Sequence, residues 1–266
     1  MSGKLENNQK EVLQFIHITD THLLNQPEET FHGFNTYKTL ESILTHIQEN
    51  YDDIDFLLLT GDVSQTGEKQ SYSVLKSVLQ QYEFPIYCVP GNHDTPWLLQ
   101  QVIPDCPNNS INTIQLGNFS LVLLNSWVEN KHHGRISHDC LHQLEDHLKH
   151  NKDKYNIFAI HHPPVLINSK WLDELGLLNK TEFLALIKKY TQNALVLFGH
   201  VHQEFNQHVD NLHFLSIPST CYQFKTNSAT MQCLKIPPPA YRFIKLRHSH
   251  NHTKIIHAET HYIVGN

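Results

Sequence analysis

The chain has no pair of cysteines at C-x-x-C spacing, no block of lysine or arginine, and no long apolar run. Its five cysteines (Cys88, Cys106, Cys140, Cys221 and Cys233) are scattered and odd in number. That argues against a disulfide frame or a zinc ribbon and fits incidental thiols in a reducing compartment. The longest apolar stretches, such as Phe56–Leu59 and Leu121–Leu124, fall far short of the ~20 residues that cross a bilayer. The opening MSGKLENNQK is polar and lacks the apolar core of a secretory signal, so residues 1–11 read as a flexible leader. These features together predict a cytoplasmic protein with no membrane partner. A formal net charge of -6 without a basic stripe argues against nucleic acid as a partner.

What is present is ordinary in bulk and unusual in one residue. The 266 residues are 39% hydrophobic and 17% charged, enough for one large domain over residues 1–266. Histidine is the exception, at 22 copies. Imidazole is a common metal ligand and general acid–base group, so the excess invites a metal reading. It also makes histidine motifs cheap, since chance alone yields about two H-x-H pairs at this frequency. Three occur, at His200/His202, His248/His250 and His250/His252. Position has to separate them.

Short apolar runs alternate with helical periodicity, the pattern of an α/β chain. Strands are expected at Val12–Ile18, Ile54–Leu59, Pro85–Val89, Asn156–Ile160 and Ala194–Phe198. Helices are expected around Thr36–Gln48 and Ser71–Gln80, after Ser137 as N-cap, and after an Asn179/Glu182 capping box. Ile111–Leu116 and Ser120–Asn125 flank a Gly117-Asn118 turn and read as a hairpin. From Glu204 onward the sequence suggests shorter antiparallel strands, interrupted at Pro237–Pro239, with residues 240–266 as C-terminal strands. The expectation is two mixed β-sheets packed as a sandwich and flanked by helices.

Five polar clusters each follow an apolar strand: Asp20-Thr21-His22, Gly61-Asp62, Gly91-Asn92-His93-Asp94, His161-His162 and Gly199-His200-Val201-His202. Carboxyl ends of strands share an edge in α/β folds, so segments remote in sequence meet there. Each motif alone is weak, because D-x-H and G-D arise freely by chance. The repeated placement of all five at strand ends carries the argument. Imidazole, carboxylate and amide donors without thiolate suit two cations about 3.5–4 Å apart, the arrangement that clamps a phosphoryl transfer. Asp62, short and preceded by glycine, is the natural bridge between them.

In that order, D-x-H, G-D, G-N-H-D, a later strand-end histidine and G-H-x-H resemble the calcineurin-like metallophosphoesterases over Val12 to His202. The resemblance implies that family's four-layer architecture and two divalent or trivalent ions, iron and/or manganese with zinc as the alternative. It implies Asp20, His22, Asp62 and His202 on one ion, and Asp62, Asn92, His161 and His200 on the other. A metal-bridging hydroxide is the implied nucleophile. Asn92, His93 and Asp94 are the implied catalytic group, with His93 aimed at phosphate and Asp94 orienting its ring. Substrate contacts fall to His22, Asp62, Asn92, His93 and His202.

Further segments, among them His133–Ser137, His161–Pro164, Ser169–Asp173 and Pro218–Lys225, are similar to the bacterial class III cyclic-AMP phosphodiesterases. Arg135 departs from them, standing where relatives often carry an acidic residue. That similarity implies hydrolysis of 3′,5′-cyclic AMP to 5′-AMP, with other cyclic nucleotides as further substrates of the same class. A phosphomonoesterase or protein phosphatase, or a nucleotide pyrophosphatase, is the alternative within the fold.

Blander readings compete at several positions. His17, inside the first strand, reads as a satisfied core histidine. His162 and His133 divide evenly between structural and pocket duty. Trp171 and Phe224 are as well suited to packing as to walling a base pocket. His248, His250 and His252 read as one solvated strand face.

Overall fold

The computed structural model describes residues 10–249 and 252–263. The leader expected at residues 1–11 falls mostly outside that range, as does His250. The last two leader residues are tied down: the Lys10 ammonium pairs with Asp55, and the Glu11 carbonyl accepts from the His248 amide.

In chain order the first half is β1 (Val12–Ile18), α1 (Thr36–Asn50), β2 (Phe56–Leu59), α2 (Lys69–Leu79), β3 (Ile86–Cys88), α3 (Pro96–Val102), β4 (Asn112–Leu116) and β5 (Phe119–Leu123). There follow α4 (His138–His150), β6 (Tyr155–Ile160), α5 (Lys170–Glu174), α6 (Lys180–Tyr190), β7 (Ala194–Phe198), β8 (Phe205–Val209) and β9 (Leu212–Ser216). The chain ends in β10 (Gln223–Phe224), β11 (Cys233–Leu234), β12 (Ala240–Ser249) and β13 (His252–Tyr262).

β10 and β11 pair by themselves, and the two large sheets run β13-β12-β1-β2-β3 and β4-β5-β6-β7-β9-β8. Both are mixed. β1, β2 and β3 are parallel, whereas β12 is antiparallel to β1. In the second sheet β5, β6, β7 and β9 are parallel, with antiparallel β4 and β8 at the edges.

Strand alternation builds the layers. Phe15, Phe56 and Leu58 point inward to meet Leu121, Ile157 and Leu197 between the sheets. Ile16, Ile18, Leu57 and Leu59 point outward under α1 and α2. Val122, Phe158, Val196 and Phe198 point outward under α4 and α6. Central strands buried on both faces therefore read as continuous apolar runs, and the four-layer sandwich follows.

Most expected elements form, with Ser137 accepting from the Cys140 amide as N-cap of α4. Several details differ. Asn179 precedes α6 without a side-chain cap, because its amide exchanges hydrogen bonds with the Ile136 backbone instead. α3 and α5, of seven and five residues, were too short to show a helical period. The late strands are not all short or antiparallel. β12 and β13 span ten and eleven residues, and β9 runs parallel to β7. β13 is largely exposed, and β12 sets Arg242, Lys245 and Arg247 among its apolar residues, so the sequence carries no uninterrupted apolar signal there.

Candidate metal centre

The five polar clusters converge at the carboxyl ends of β1, β2, β3, β6 and β7. Backbone bonds knit the first two loops together: the Asp20 amide donates to the Gly61 carbonyl at 3.0 Å and the His22 amide to the Asp62 carbonyl at 2.9 Å. Asp20, His22, Asp62, His200 and His202 all have left-handed backbone, with φ between 45° and 70°. Such residues cost on the order of 1–3 kcal/mol each and persist where surrounding structure over-determines them. Gly91 is required by close approach, since a Cβ there would lie 2.2 Å from Asp62 Oδ1.

Asp62 occupies the middle. Its Oδ1 accepts from the His93 amide at 2.8 Å. Its Oδ2 lies 3.4 Å from His161 Nε2 and 3.9 Å from His22 Nε2. On one flank Asp20 Oδ1 is 3.3 Å from His202 Nε2. On the other Asn92 Oδ1 is 3.3 Å from His161 Nε2. The His200 ring is 5.1 Å from that of His161. All seven expected metal-binding side chains are thus brought together, and all but Asn92 are buried.

Tautomers sharpen the picture. Nδ1 of His161 donates to the Thr60 carbonyl at 2.7 Å and Nδ1 of His202 to the Tyr222 carbonyl at 2.8 Å. Nδ1 of His22 meets Gln65 Oε1 at 2.7 Å. An imidazole that donates through Nδ1 presents a lone pair at Nε2. The Nε2 atoms of His22 and His202 nonetheless face each other at 3.1 Å. Two lone pairs at that distance repel unless a cation lies between. His200 Nε2 is buried with no hydrogen-bond partner among the described residues. These donors fit metal ions.

The field points the same way. Burial pushes His22 and His200 down to about 3, so both rings are neutral. Burial also opposes charge on Asp62, but His161 and His93 outweigh it and hold the carboxyl well below its usual range. Asp62 in turn overcomes the burial of His161 and raises it. Cys221 lies close enough to join His22 and His202 in a ligand set. Burial lifts its thiol to about 12, however, and its Sγ–H donates to the Asp20 carbonyl at 3.3 Å. It is not offered as a thiolate.

One expected role does not survive. Asp94 does not orient the His93 ring. Its carboxylate accepts from the Gly91, Val63 and Ser64 amides at 2.9–3.1 Å and from Tyr72 Oη at 3.1 Å, tying the β2 and β3 loops together. Burial and nearby Asp62 raise it to about 6 against those amides. His93 Nδ1 instead lies 3.1 Å from the Gln65 carbonyl. Gln65 thus contacts both His22 and His93, and no strand-end motif flagged it.

The centre floors a cavity of about 340 Å³ whose walls include Phe31, Trp171, Tyr222, Phe224 and Met231. Trp171 and Phe224 meet edge to face at 4.8 Å on this wall. His132, not His133, lines the cavity, as does His32. His162 is fully engaged outside it, with Ser126 Oγ at 2.8 Å and the His132 carbonyl at 3.2 Å. His248 bonds Thr253 far along the hairpin, and His252 is exposed.

Residues 13–204 match the model of the calcineurin-like phosphoesterase family. The chain belongs to that family. A calcineurin-like phosphoesterase is a hydrolase whose fold implies divalent metal ions, and the His/Asp cluster answers to them. A 3′,5′-cyclic-nucleotide phosphodiesterase of Nostoc sp. is 36% identical over 239 residues, 90% of each chain. The 3′,5′-cyclic adenosine monophosphate phosphodiesterase CpdA of Haemophilus influenzae is 30% identical, over 90% of this chain and 87% of its own. A dimetal phosphatase from Danio rerio superposes with a TM-score of 0.66 over 94% of this chain and 99% of that one. At 13% identity that likeness concerns the fold alone. No helix among the described residues is long and apolar enough to cross a membrane.

Proposed function

We propose that this calcineurin-like phosphoesterase hydrolyses 3′,5′-cyclic AMP to 5′-AMP on a two-metal centre. The observation that carries the metal reading is the opposition of His22 and His202 Nε2 at 3.1 Å, with both rings anchored through Nδ1. The substrate reading draws on the cyclic-nucleotide phosphodiesterases that the chain resembles over nine-tenths of its length. An aromatic wall above the centre supports it, because nucleobases stack on such faces.

Asp20, His22, Asp62 and His202 would hold one ion; Asp62, Asn92, His161 and His200 would hold the other. Nitrogen and oxygen donors of this mixture suit iron or manganese, with zinc as the alternative. When bound, the pair neutralises phosphoryl charge and makes water a better nucleophile. His22, Asp62, Asn92, His93 and His202 face the cavity floor, where a phosphate would sit. Water adds to phosphorus, the P–O3′ bond breaks and His93 protonates O3′. The proton lost by the water returns to the imidazole. Gln65, at His93 Nδ1, holds the ring for that transfer.

The test is hydrolysis of cyclic AMP by protein loaded with Mn²⁺, with Asn92→Ala as control. Formation of 5′-AMP by wild type, reduced on the order of 10²-fold or more in the variant, is expected. Absent turnover of cyclic AMP, with monoester cleavage lost in Asn92→Ala, would replace the substrate and keep the centre.

A further inference from the structure

His17 lies in β1 three residues before Asp20 and is fully buried. Its Nε2 is 2.8 Å from Thr60 Oγ1. The Thr60 hydroxyl reaches Thr19 Oγ1 at 2.8 Å, and the Thr19 hydroxyl reaches Asp20 Oδ2 at 2.6 Å. Chemistry fixes the direction of every link. A carboxylate only accepts, so Thr19 spends its single hydrogen on Asp20 and must accept from Thr60. Thr60 has then spent its own hydrogen and must accept from His17. His17 is therefore the Nε2–H tautomer, the reverse of His161 and His202.

The surroundings keep it so. A Cβ on Gly199 would fall 2.2 Å from Thr19 Oγ1 and 3.0 Å from Asp20 Oδ2, so the β7 loop closes directly over the chain. Arg242 of β12 stands opposite His17 in the antiparallel register and is itself buried, with Glu204 as its partner at 3.1 Å. Burial and that guanidinium hold His17 down to about 3, leaving it a neutral donor.

We propose that His17, Thr60 and Thr19 form a one-way hydrogen-bond chain that positions Asp20, engaging Oδ2 so that Oδ1 is the oxygen offered to a cation. The proposal rests on the reading of Asp20 as a metal ligand. Oδ1 is the oxygen 3.3 Å from His202 Nε2. The His200 amide touches both oxygens, at 3.2 and 3.1 Å, and does not choose between them. Thr60 also acts through its carbonyl, which receives His161 Nδ1. One residue thus orients a donor on each side of Asp62. None of the three lines the cavity, so they are positioning residues.

Thr60→Val keeps the shape and the carbonyl but deletes the hydroxyl, whereas Thr60→Ser restores it. Mn²⁺ affinity of the metal-free full-length protein, read by calorimetric titration, should fall about tenfold or more in Thr60→Val and stay within about threefold in Thr60→Ser. Histidine ¹⁵N spectra of the metal-free wild type should show His17 neutral with hydrogen on Nε2. Unchanged affinity in Thr60→Val, an equal loss in Thr60→Ser, or an Nδ1–H or doubly protonated His17 at pH 7 would each overturn the proposal. None of these readouts uses cyclic AMP, so the substrate can prove wrong while the chain stands. A wild type that binds no Mn²⁺ overturns the metal centre and the role of the chain together.

Discussion

Histidines crowd two regions of this molecule, the strand-end edge and the C-terminal hairpin, and the regions use them in opposite ways. At the edge, His22, His161 and His202 are buried, each ring pinned at Nδ1 by an oxygen, so each presents Nε2 inward. On the hairpin, His252 and His257 are exposed, and His257 meets Glu259 at 3.0 Å and the Phe243 ring at 5.6 Å. The number of histidines therefore says little. What distinguishes the edge is the oxygen behind each ring, which settles the tautomer and turns Nε2 toward the other donors.

The largest break in this contrast should come from Asp62→Asn. The carboxylate stands between His161 and His22, and its loss removes the shared anion of the centre. Phosphoesterase activity should fall on the order of 10³-fold or more, with two-ion binding lost in metal analysis. Retention of both ions would show that Asp62 does not bridge.

A smaller effect concerns pH. His17 is held down to about 3 from an ordinary 6.5, first by burial and then by Arg242, against a rise from Asp20. Below pH 6.5 the unfolded chain takes up a proton that the folded chain refuses. This contribution to stability is whole above 6.5 and drains away as pH falls toward 3. His17→Gln keeps a side-chain N–H but cannot titrate, so its denaturant midpoint should decline less steeply between pH 6 and pH 4. Parallel declines in both proteins would assign the acid limb to other groups.

The smallest effect is expected on the hairpin. His252→Ala and His257→Ala remove exposed rings, and such surface changes stay within about 0.5 kcal/mol of wild-type stability. Activity with saturating Mn²⁺ should remain within about twofold of wild type. A larger loss of turnover would mean that the hairpin histidines take part in metal capture after all.

Much of the centre was legible because each donor follows an apolar run, and a run buried on both faces is hard to mistake. Strand-end placement in the sequence already sets Asp20, Asp62, Asn92, His161 and the His200/His202 pair on one edge. The same placement does not reveal Gln65 and Tyr222. They act through a carbonyl or an amide oxygen, which leaves no mark in a motif of metal-binding side chains. The role expected of Asp94 failed for a related reason: adjacency to His93 suggested contact, yet the turn aims its carboxylate at amides of the β2 loop. His17 looked like a satisfied core histidine, and only one of its nitrogens is paired among the described residues.

Sequence by itself determined the layered α/β sandwich and the donors gathered at its edge, because strand periodicity and strand-end placement are local properties of the chain. Tertiary structure alone decided which nitrogen of each imidazole faces inward, which oxygen of Asp20 meets the Thr19 hydroxyl and what walls the cavity. Those depend on atoms brought together from 43 residues away, as between His22 and Gln65, or 180, as between His22 and His202. Hydrogen-bond direction is a property of such pairs, and no single segment contains it.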